Sequence, residues 1–394
     1  MDQERHDRRR REAVASGQTG QRRVAGRVWA IGGLVAAAAV GIAVAAIPAA
    51  AAPTAPTGPT GPTLTGITAV SCASATHCWA GAYDAKGSAI IATTNGGATW
   101  RVEYTTARFD DVVSIDCTSA THCLAIGDVD EATSAAFLET TDGGKTWSVH
   151  ATPRPMALAG SLSCANGSDC WAVGVAPDRA DAAVARTIDG GRVWTAESVP
   201  ALYTAMSSPF GISCASAADC VVTGDATATT TNGGKTWARH AAAGVPLGPV
   251  TCPSTRDCYA VFNVTSAIPS NEQTFLYTST NGGVTWKDVL PKPRHVAGLP
   301  GISCPTTTTC VAVGNGYTPR AGGADTLYGL SELTSTSGRH WAQTTVAKAQ
   351  TLFADSCAAA TRDCIAGGQT SAGAVILKSV NDGVTWTAEP LPRA

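Results

Sequence analysis

Short runs of β-branched and small apolar residues alternate with turns rich in Gly, Asn, Asp and Thr along most of this chain. In one stretch, residues 112–116 lead into Cys117, and five residues later Cys123 opens a second apolar run. A polar stretch follows, then the run 135–139, and then a glycine-rich turn that ends in Trp147. Apolar runs of this length, bounded by turn residues, predict four short strands, labelled A to D.

This unit recurs seven times. Each copy has one cysteine pair and one tryptophan that ends a glycine-rich turn, and successive tryptophans are 43 to 55 residues apart. That period is typical of one four-stranded blade. The sequence therefore predicts an all-β fold, a seven-bladed β-propeller of four-stranded antiparallel blades over residues 64–394. The seven tryptophans are Trp100, Trp147, Trp194, Trp237, Trp286, Trp341 and Trp386.

The turn before each tryptophan resembles the Asp-box, or BNR, repeat, with the pattern Ser/Thr-x-Asp/Asn-x-Gly-x-Thr-Trp. The pattern is complete at residues 93–100 and 140–147, and the sixth unit departs most, with Thr336 at the Asp/Asn position and His340 before the tryptophan. The Asp or Asn is expected to accept backbone hydrogen bonds, and the glycine to supply a positive φ. The tryptophan should be buried against the neighbouring sheet. Seven copies around a ring favour a folding role over calcium binding or catalysis.

The resemblance to Asp-box propellers covers residues 64–394 and implies several different functions. Sialidases and some plant-polysaccharide hydrolases of this WD40/YVTN/BNR-like superfamily are enzymes. The photosystem II stability and assembly factors are single, exported, seven-bladed propellers that bind a membrane-protein partner. The box specifies the scaffold, so no site residue of those families can be transferred to this chain from the box alone.

All 14 cysteines belong to the seven pairs. Six pairs have five intervening residues and the last has six, whereas zinc ligands are typically separated by two to four. Disulfides between the end of strand A and the start of strand B fit better, and they require an oxidising compartment. We therefore predict no metal and no cofactor. The expected disulfide partners are Cys72 and Cys78, Cys117 and Cys123, Cys164 and Cys170, Cys214 and Cys220, Cys252 and Cys258, Cys304 and Cys310, and Cys357 and Cys364.

The N-terminal region predicts export. Residues 1–27 carry eight arginines against four acidic residues and form a cytoplasmic basic segment. Residues 28–52 form a signal-anchor or a signal peptide, because residues 28–46 are an uncharged stretch long enough to cross a bilayer as one helix. Cleavage near Ala49 would release the protein instead. Residues 53–63 are a Pro/Thr/Gly linker. We expect a single-pass membrane protein with its propeller outside the cell, or a secreted one.

The propeller region has 20 basic and 26 acidic residues, a net charge of −6. This charge argues against binding to nucleic acid. The predicted partners are an extracellular protein or glycan, together with the membrane through the N-terminal helix.

Antiparallel geometry places the A–B and C–D connections at one end of the strands and the B–C connections at the other. The distance from the second cysteine to the tryptophan varies most, from 17 to 31 residues, so the B–C loops carry the variation. Loops on a rigid scaffold often carry function, although tolerated surface insertions give the same pattern. The longest loops, in units five and six, predict a binding site at Tyr317, Arg320, Tyr328, Glu272 and Asp325.

No catalytic residue is predicted. A sialidase-like site requires an Arg-Ile-Pro motif, and the segment around Arg154 resembles it only faintly. Other glycosidases require two carboxylates at a defined separation, and no spacing singles out Glu131, Glu272 or Asp325. The sequence favours a non-catalytic binding scaffold at the cell surface. A sialidase-like glycoside hydrolase of the cell exterior is the alternative.

Overall fold

The computed structural model describes residues 64–129, 133–153, 156–177, 182–202, 211–241, 248–264, 273–289, 295–318, 326–334, 341–359 and 361–392. The signal-anchor or signal-peptide segment at residues 28–52, with its predicted membrane helix at residues 28–46, lies outside these ranges, as do the basic segment and the linker. Within the ranges, no helix has the length and hydropathy needed to cross a bilayer.

Twenty-eight strands form seven four-stranded antiparallel sheets, which confirms the predicted seven-bladed propeller. Each sheet is one blade and consists of four strands that are consecutive in the chain. In chain order the strands are β1 (Gly66–Cys72), β2 (Cys78–Asp84), β3 (Gly87–Thr93) and β4 (Arg101–Thr106); β5 (Phe109–Cys117), β6 (Cys123–Val129), β7 (Ser134–Thr140) and β8 (Ser148–Ala151); β9 (Leu158–Cys164), β10 (Cys170–Val175), β11 (Ala182–Thr187) and β12 (Thr195–Glu197); β13 (Ile212–Cys214), β14 (Cys220–Thr223), β15 (Ala226–Thr230) and β16 (Ala238–Ala241); β17 (Val250–Thr251), β18 (Cys258–Val264), β19 (Gln273–Ser279) and β20 (Lys287–Asp288); β21 (Val296–Ser303), β22 (Val311–Thr318), β23 (Thr326–Thr334) and β24 (Trp341–Val346); β25 (Thr351–Cys357), β26 (Cys364–Thr370), β27 (Gly373–Ser379) and β28 (Thr387–Glu389).

The first strand of each blade contacts the first strands of both neighbouring blades, and this series continues from β25 back to β1. The fourth strands are largely exposed, as in β8 and β16. Strand A is therefore innermost and strand D forms the outer rim. Because β1 to β4 form one sheet and β25 to β28 another, the ring closes by packing of blade 7 on blade 1, without exchange of a terminal strand.

A disulfide joins strands A and B of every blade, as predicted. Five of the seven cysteine pairs are also directly opposed in the strand ladder, for example Cys72 with Cys78 and Cys357 with Cys364. The Cα atoms within each pair are 4.0 to 4.1 Å apart. The extra residue of the seventh loop is accommodated without a change in this register. Each disulfide thus lies where strand A ends and strand B begins.

The Asp-box turns have the hydrogen bonds that the sequence predicts. In the first box, the Thr99 N–H donates to Asn95 Oδ1 at 2.9 Å, and the Gly97 N–H donates to Thr93 Oγ1 at 2.9 Å. Gly97 has φ +95°, a conformation that glycine adopts without steric cost. Six boxes share this pattern, and the third retains it although Val193 replaces threonine. The sixth turn, at residues 335–340, lies outside the described ranges.

Every box tryptophan packs against the blade that precedes its own. Trp194 stacks on Phe137 of blade 2 with ring centroids 3.9 Å apart, and Trp237 meets Trp171 edge-on at 5.6 Å. Trp100 packs in a cluster with Ile365 of blade 7, so the same contact closes the ring. The predicted burial against a neighbouring sheet is confirmed, and these contacts build the outer half of each inter-blade core.

A belt of hydrogen bonds joins the inner strands. At six of the seven junctions in the described structure, the backbone N–H of a blade's first cysteine donates to a side chain of the previous blade. The acceptor is the residue directly before the first cysteine of that previous blade. The bond from Cys72 to Ser356 closes the ring at 3.0 Å. At the remaining junction, between blades 5 and 6, the corresponding side chain is Thr251. The other five bonds run from Cys117 to Ser71, Cys164 to Asp116, Cys214 to Ser163, Cys252 to Ser213 and Cys357 to Ser303.

Asp116 is the one carboxylate among the belt acceptors. Its Oδ2 accepts the Cys164 N–H at 2.7 Å. Although the residue as a whole is only partly buried, loss of solvent around its carboxyl raises its pKa to about 6, against the lowering effects of the Cys164 N–H and of nearby His122. The belt at this junction therefore contains a group that titrates below neutral pH.

Replacing Trp194 by alanine should remove the ring that stacks on Phe137 and leave a cavity between blades 2 and 3. We expect the free energy of unfolding to fall by about 3–5 kcal/mol, measured by chemical denaturation. Val193→Ala is the matched control, because the neighbouring side chain is 61% exposed and its truncation should change the stability by less than about 0.5 kcal/mol. Equal effects of the two substitutions would contradict the packing.

Replacing Asp116 by serine should remove part of the pH dependence of stability. The folded-state pKa of Asp116 is raised. Its contribution to the stability of the folded protein is therefore fully present below pH 4 and is lost as the pH rises to about 6. Asp116→Ser retains a belt acceptor, as in the other blades, and should gain at most about 3 kcal/mol relative to wild type between pH 4 and pH 7. Thermal unfolding across this range tests the prediction, and an unchanged pH slope would refute it.

Candidate functional site

The two ends of the strands form different surfaces. The box face consists of the A–B disulfide loops and the Asp-box turns, and the loop face consists of the B–C and D–A connections. On the box face the two kinds of turn are bonded to each other, as where the Gly96 N–H donates to Thr76 O at 2.9 Å. The same bond recurs in five further blades. This arrangement agrees with the assignment of faces made from the sequence.

The predicted binding residues of blades 5 and 6 are only partly described. Tyr317 and Tyr328 lie within β22 and β23 rather than in a loop, because these strands extend to Thr318 and begin at Thr326. Tyr317 is only 8% exposed and its ring lies 5.1 Å from that of His295. Tyr328 packs on the core cluster that contains Trp341. The other three predicted residues, Arg320, Glu272 and Asp325, lie outside the described ranges, and this binding site stays a prediction.

A carboxylate pair lies on the loop face of blade 2. Asp111 at the start of β5 is directly opposite Asp128 near the end of β6. Asp128 is buried, and its Oδ1 accepts the Ala159 N–H of blade 3 at 2.6 Å. Burial, together with the charges of Asp111 and Asp110, raises the pKa of Asp128 to about 7 despite that bond. A carboxyl with this pKa can donate or accept a proton at neutral pH.

The sequence reasoning did not find this pair, and a β-bulge explains why. Counting back from Cys117 and Cys123 along an unbroken ladder places Asp128 opposite Val112. The ladder instead has a register shift between Val112 and Ser114, which moves Asp128 opposite Asp111. Bulges of this kind are not visible in the hydrophobic pattern. The nearby candidate Glu131 lies outside the described ranges.

On the box face, a groove of about 280 Å³ opens between blades 2 and 3. Glu139 lines the groove, and its Oε2 is 3.1 Å from His150 Nε2. His122 lines it as well, with Nε2 2.9 Å from Gly190 O. The Asp-box residues Asp189 and Arg192 of blade 3 complete the lining, together with Thr141, Gly167 and Ser168. The groove joins residues that are distant in the sequence, and no spacing rule predicts it.

Asp355 is a buried carboxyl of a different kind. It lies on the inner strand β25, and neither of its oxygens has a hydrogen-bond partner. Its Oδ1 lies against Gly301 of blade 6, where a Cβ would come within 2.7 Å. Burial raises its pKa well above the ordinary value. The equivalent position is aliphatic in the other six blades: Val70, Ile115, Leu162, Ile212, Val250 and Ile302.

Among the described residues, no group of three His, Cys, Asp or Glu side chains is placed to hold a metal ion. The carboxylate pair of blade 2 can exchange protons, and the groove between blades 2 and 3 can bind a polar group. These two places are the candidate functional sites.

Replacing Asp355 by valine should stabilise the protein at neutral pH. The substitution restores the aliphatic residue of the other blades and removes a buried carboxyl without a partner, a change worth about 1–3 kcal/mol. The gain should increase with pH, because the folded state must keep the carboxyl protonated above its ordinary pKa. Thermal unfolding measures the effect, and the reciprocal change Ile212→Asp should destabilise. A less stable Asp355→Val variant would contradict this account.

No family model matches the sequence, and no curated protein matches it. Solved structures with the same fold include "YCF48 bound to D1 peptide", at 17% identity and TM-score 0.56, covering 82% of this chain and 96% of that one. YCF48 from Cyanidioschyzon merolae is similar at 15% identity and TM-score 0.53, over 80% and 96% of the two chains. The GH74 xyloglucanase from Xanthomonas campestris is similar at 14% identity and TM-score 0.59, covering 82% of this chain. This chain spans only 53% of that enzyme. The likeness shows that the chain shares the seven-bladed propeller fold with a peptide-binding protein and with glycoside hydrolases.

Proposed function

We propose that this chain is an exported propeller, held at the membrane by its N-terminal segment, that binds a protein or glycan at the cell surface without altering it. The observation that carries the proposal is the structural use of two carboxylates of blade 2. Asp116 and Asp128 each accept a backbone N–H from blade 3. A carboxylate that joins two blades is held by the scaffold, and proton transfer to a substrate would disturb that bond.

The seven disulfides support the exported location. They form and persist in oxidising compartments, and the described structure contains no free cysteine. The arginine-rich residues 1–27 and the apolar stretch 28–46 support a membrane anchor with the propeller on the outer side.

The partner class is supported by the comparison with YCF48, whose structure holds a D1 peptide. Exposed apolar side chains on the box face support the same class. Six large apolar side chains of the described residues are exposed, and five of these lie in Asp-box turns: Ile188, Val193, Val284, Val380 and Val384. Such side chains are suited to contact with a polypeptide.

A glycoside hydrolase is the second candidate, and the pair Asp111 and Asp128 favours it. Two carboxylates, one with a pKa of about 7, are the groups that glycoside hydrolysis requires. The GH74 enzymes provide a precedent for this chemistry on the same fold. The bond from the Ala159 N–H to Asp128 supports the structural role instead.

Two measurements on the full-length protein in detergent or in cells separate the candidates. The first is turnover of a broad glycan panel by wild type and by Asp128→Asn, with folding of the variant checked by thermal unfolding. The second is photo-crosslinking in intact cells from Val193 on the box face, with Ala372 on the loop face as control. We expect no turnover. We expect crosslinked adducts from position 193, and their formation should be prevented by an excess of the same protein without the crosslinker. Turnover that Asp128→Asn abolishes would make the chain an enzyme, and the absence of both signals would contradict the binding function.

A further inference from the structure

The junction between blades 3 and 4 shows how a cationic side chain fills a groove on the box face. Arg186 Nη1 donates to Gly233 O of blade 4 at 2.7 Å, and Nη2 pairs with Asp169 Oδ1 at 3.0 Å. Its guanidinium lies 4.8 Å from the ring centre of Trp171. The protein thus supplies its own arginine to this groove, held by a carbonyl, a carboxylate and an aromatic ring.

The groove between blades 2 and 3 has the opposite charge at the same position. Arg186 directly precedes the first residue of its Asp-box, and the equivalent residue of blade 2 is Glu139. Where Arg186 fills its groove, Glu139 lines an open one of about 280 Å³. The same position of the repeat therefore holds an arginine at the junction of blades 3 and 4 and a glutamate at the open groove between blades 2 and 3.

The charged groups around this groove favour a cation. Glu139 is only 7% exposed and has His150 as its partner. The two carboxylates that line the groove, Glu139 and Asp189, outnumber its single formal cation, Arg192, if histidine is counted as neutral. His122 Nε2 already contacts Gly190 O, the carbonyl equivalent to the one that Arg186 uses. A buried carboxylate in an open groove attracts a charged hydrogen-bond donor more strongly than a neutral one.

Exposed apolar side chains next to the lining residues in the chain indicate that the cation belongs to a polypeptide. Ile188 directly precedes Asp189 and Val193 directly follows Arg192, and they are 67% and 61% exposed. A free metal ion or a sugar makes no use of two exposed aliphatic side chains, whereas a peptide with apolar residues beside a basic one can contact both. Arginine fits better than lysine, because its planar fork can meet a carboxylate with two parallel hydrogen bonds.

We propose that the groove between blades 2 and 3 binds an arginine side chain of an extended partner segment, with Glu139 as the carboxylate acceptor and Ile188 and Val193 as contacts for flanking apolar residues. This inference rests on the proposed binding function and names the chemistry of the partner. In the complex, the partner's guanidinium lies in the groove and pairs with the Glu139 carboxylate.

Labelled peptides test the proposal by fluorescence anisotropy with the full-length protein. One peptide has a single arginine between valines, and the second has citrulline, which is uncharged but of the same shape, at that position. We expect the arginine peptide to bind at least about tenfold more tightly. Glu139→Gln, which keeps the side-chain shape, should lower its affinity by a similar factor, and Glu139→Arg should abolish binding by filling the groove.

Thr229→Arg is the matched control, because Thr229 is the equivalent residue of blade 4 and lines the groove between blades 4 and 5. This variant should bind the arginine peptide as wild type does, and thermal unfolding verifies that all variants fold. Equal binding of the two peptides, no binding by wild type at millimolar peptide, or unchanged binding by Glu139→Arg would each overturn the proposal. If crosslinked partner adducts persist in Glu139→Arg, the binding function stands and only the assignment of the groove as its site is overturned.

Discussion

The ring depends on a hydrogen bond that six of the seven blades make to the blade before them. In these six blades the first cysteine donates its backbone N–H to the residue directly before the first cysteine of the preceding blade. The bond from Cys72 to Ser356 follows the same pattern, so the closing junction is bonded in the same way as an internal one. Because the disulfide fixes the register of strands A and B beside this bond, donor and acceptor meet at the same height in successive blades.

The outer half of each junction depends on the Asp-box. Hydrogen bonds from backbone N–H groups to Thr93 Oγ1 and Asn95 Oδ1 fold the first turn so that Trp100 leaves it towards blade 7. The equivalent turn of blade 3 directs Trp194 onto Phe137. Hydrogen bonds between inner strands near the axis and tryptophan packing near the rim thus attach neighbouring blades to each other at two distances from the axis. A ring fastened at both radii needs no exchanged terminal strand, and its box face becomes a rigid surface.

The residues most informative about function are those at which one blade differs from the equivalent position of the other blades. Asp116 replaces the usual belt hydroxyl, Asp355 replaces an aliphatic residue, and Glu139 stands where blade 3 has Arg186. Each departure places a carboxyl at a junction whose geometry the other blades define, so its consequence can be read by comparison within one molecule. Asp355 has no hydrogen-bond partner, Asp116 joins two blades, and Glu139 opens onto a groove. Only the last of these is placed to meet another molecule.

The repeat in the sequence was sufficient to predict the blades, the disulfides and the burial of the tryptophans, because each is set by residues close together in the chain. The candidate sites were not predictable, because they join positions that only the ring brings together. Glu139 and Gly190 line one groove from opposite sides of a junction, and Asp128 faces Asp111 through a bulge that the hydrophobic pattern does not show. Tyr317, predicted in a loop, lies in a strand because ladder pairing extends β22 beyond its apolar run. Local sequence determined the scaffold, whereas inter-blade packing and strand register decided which side chains meet.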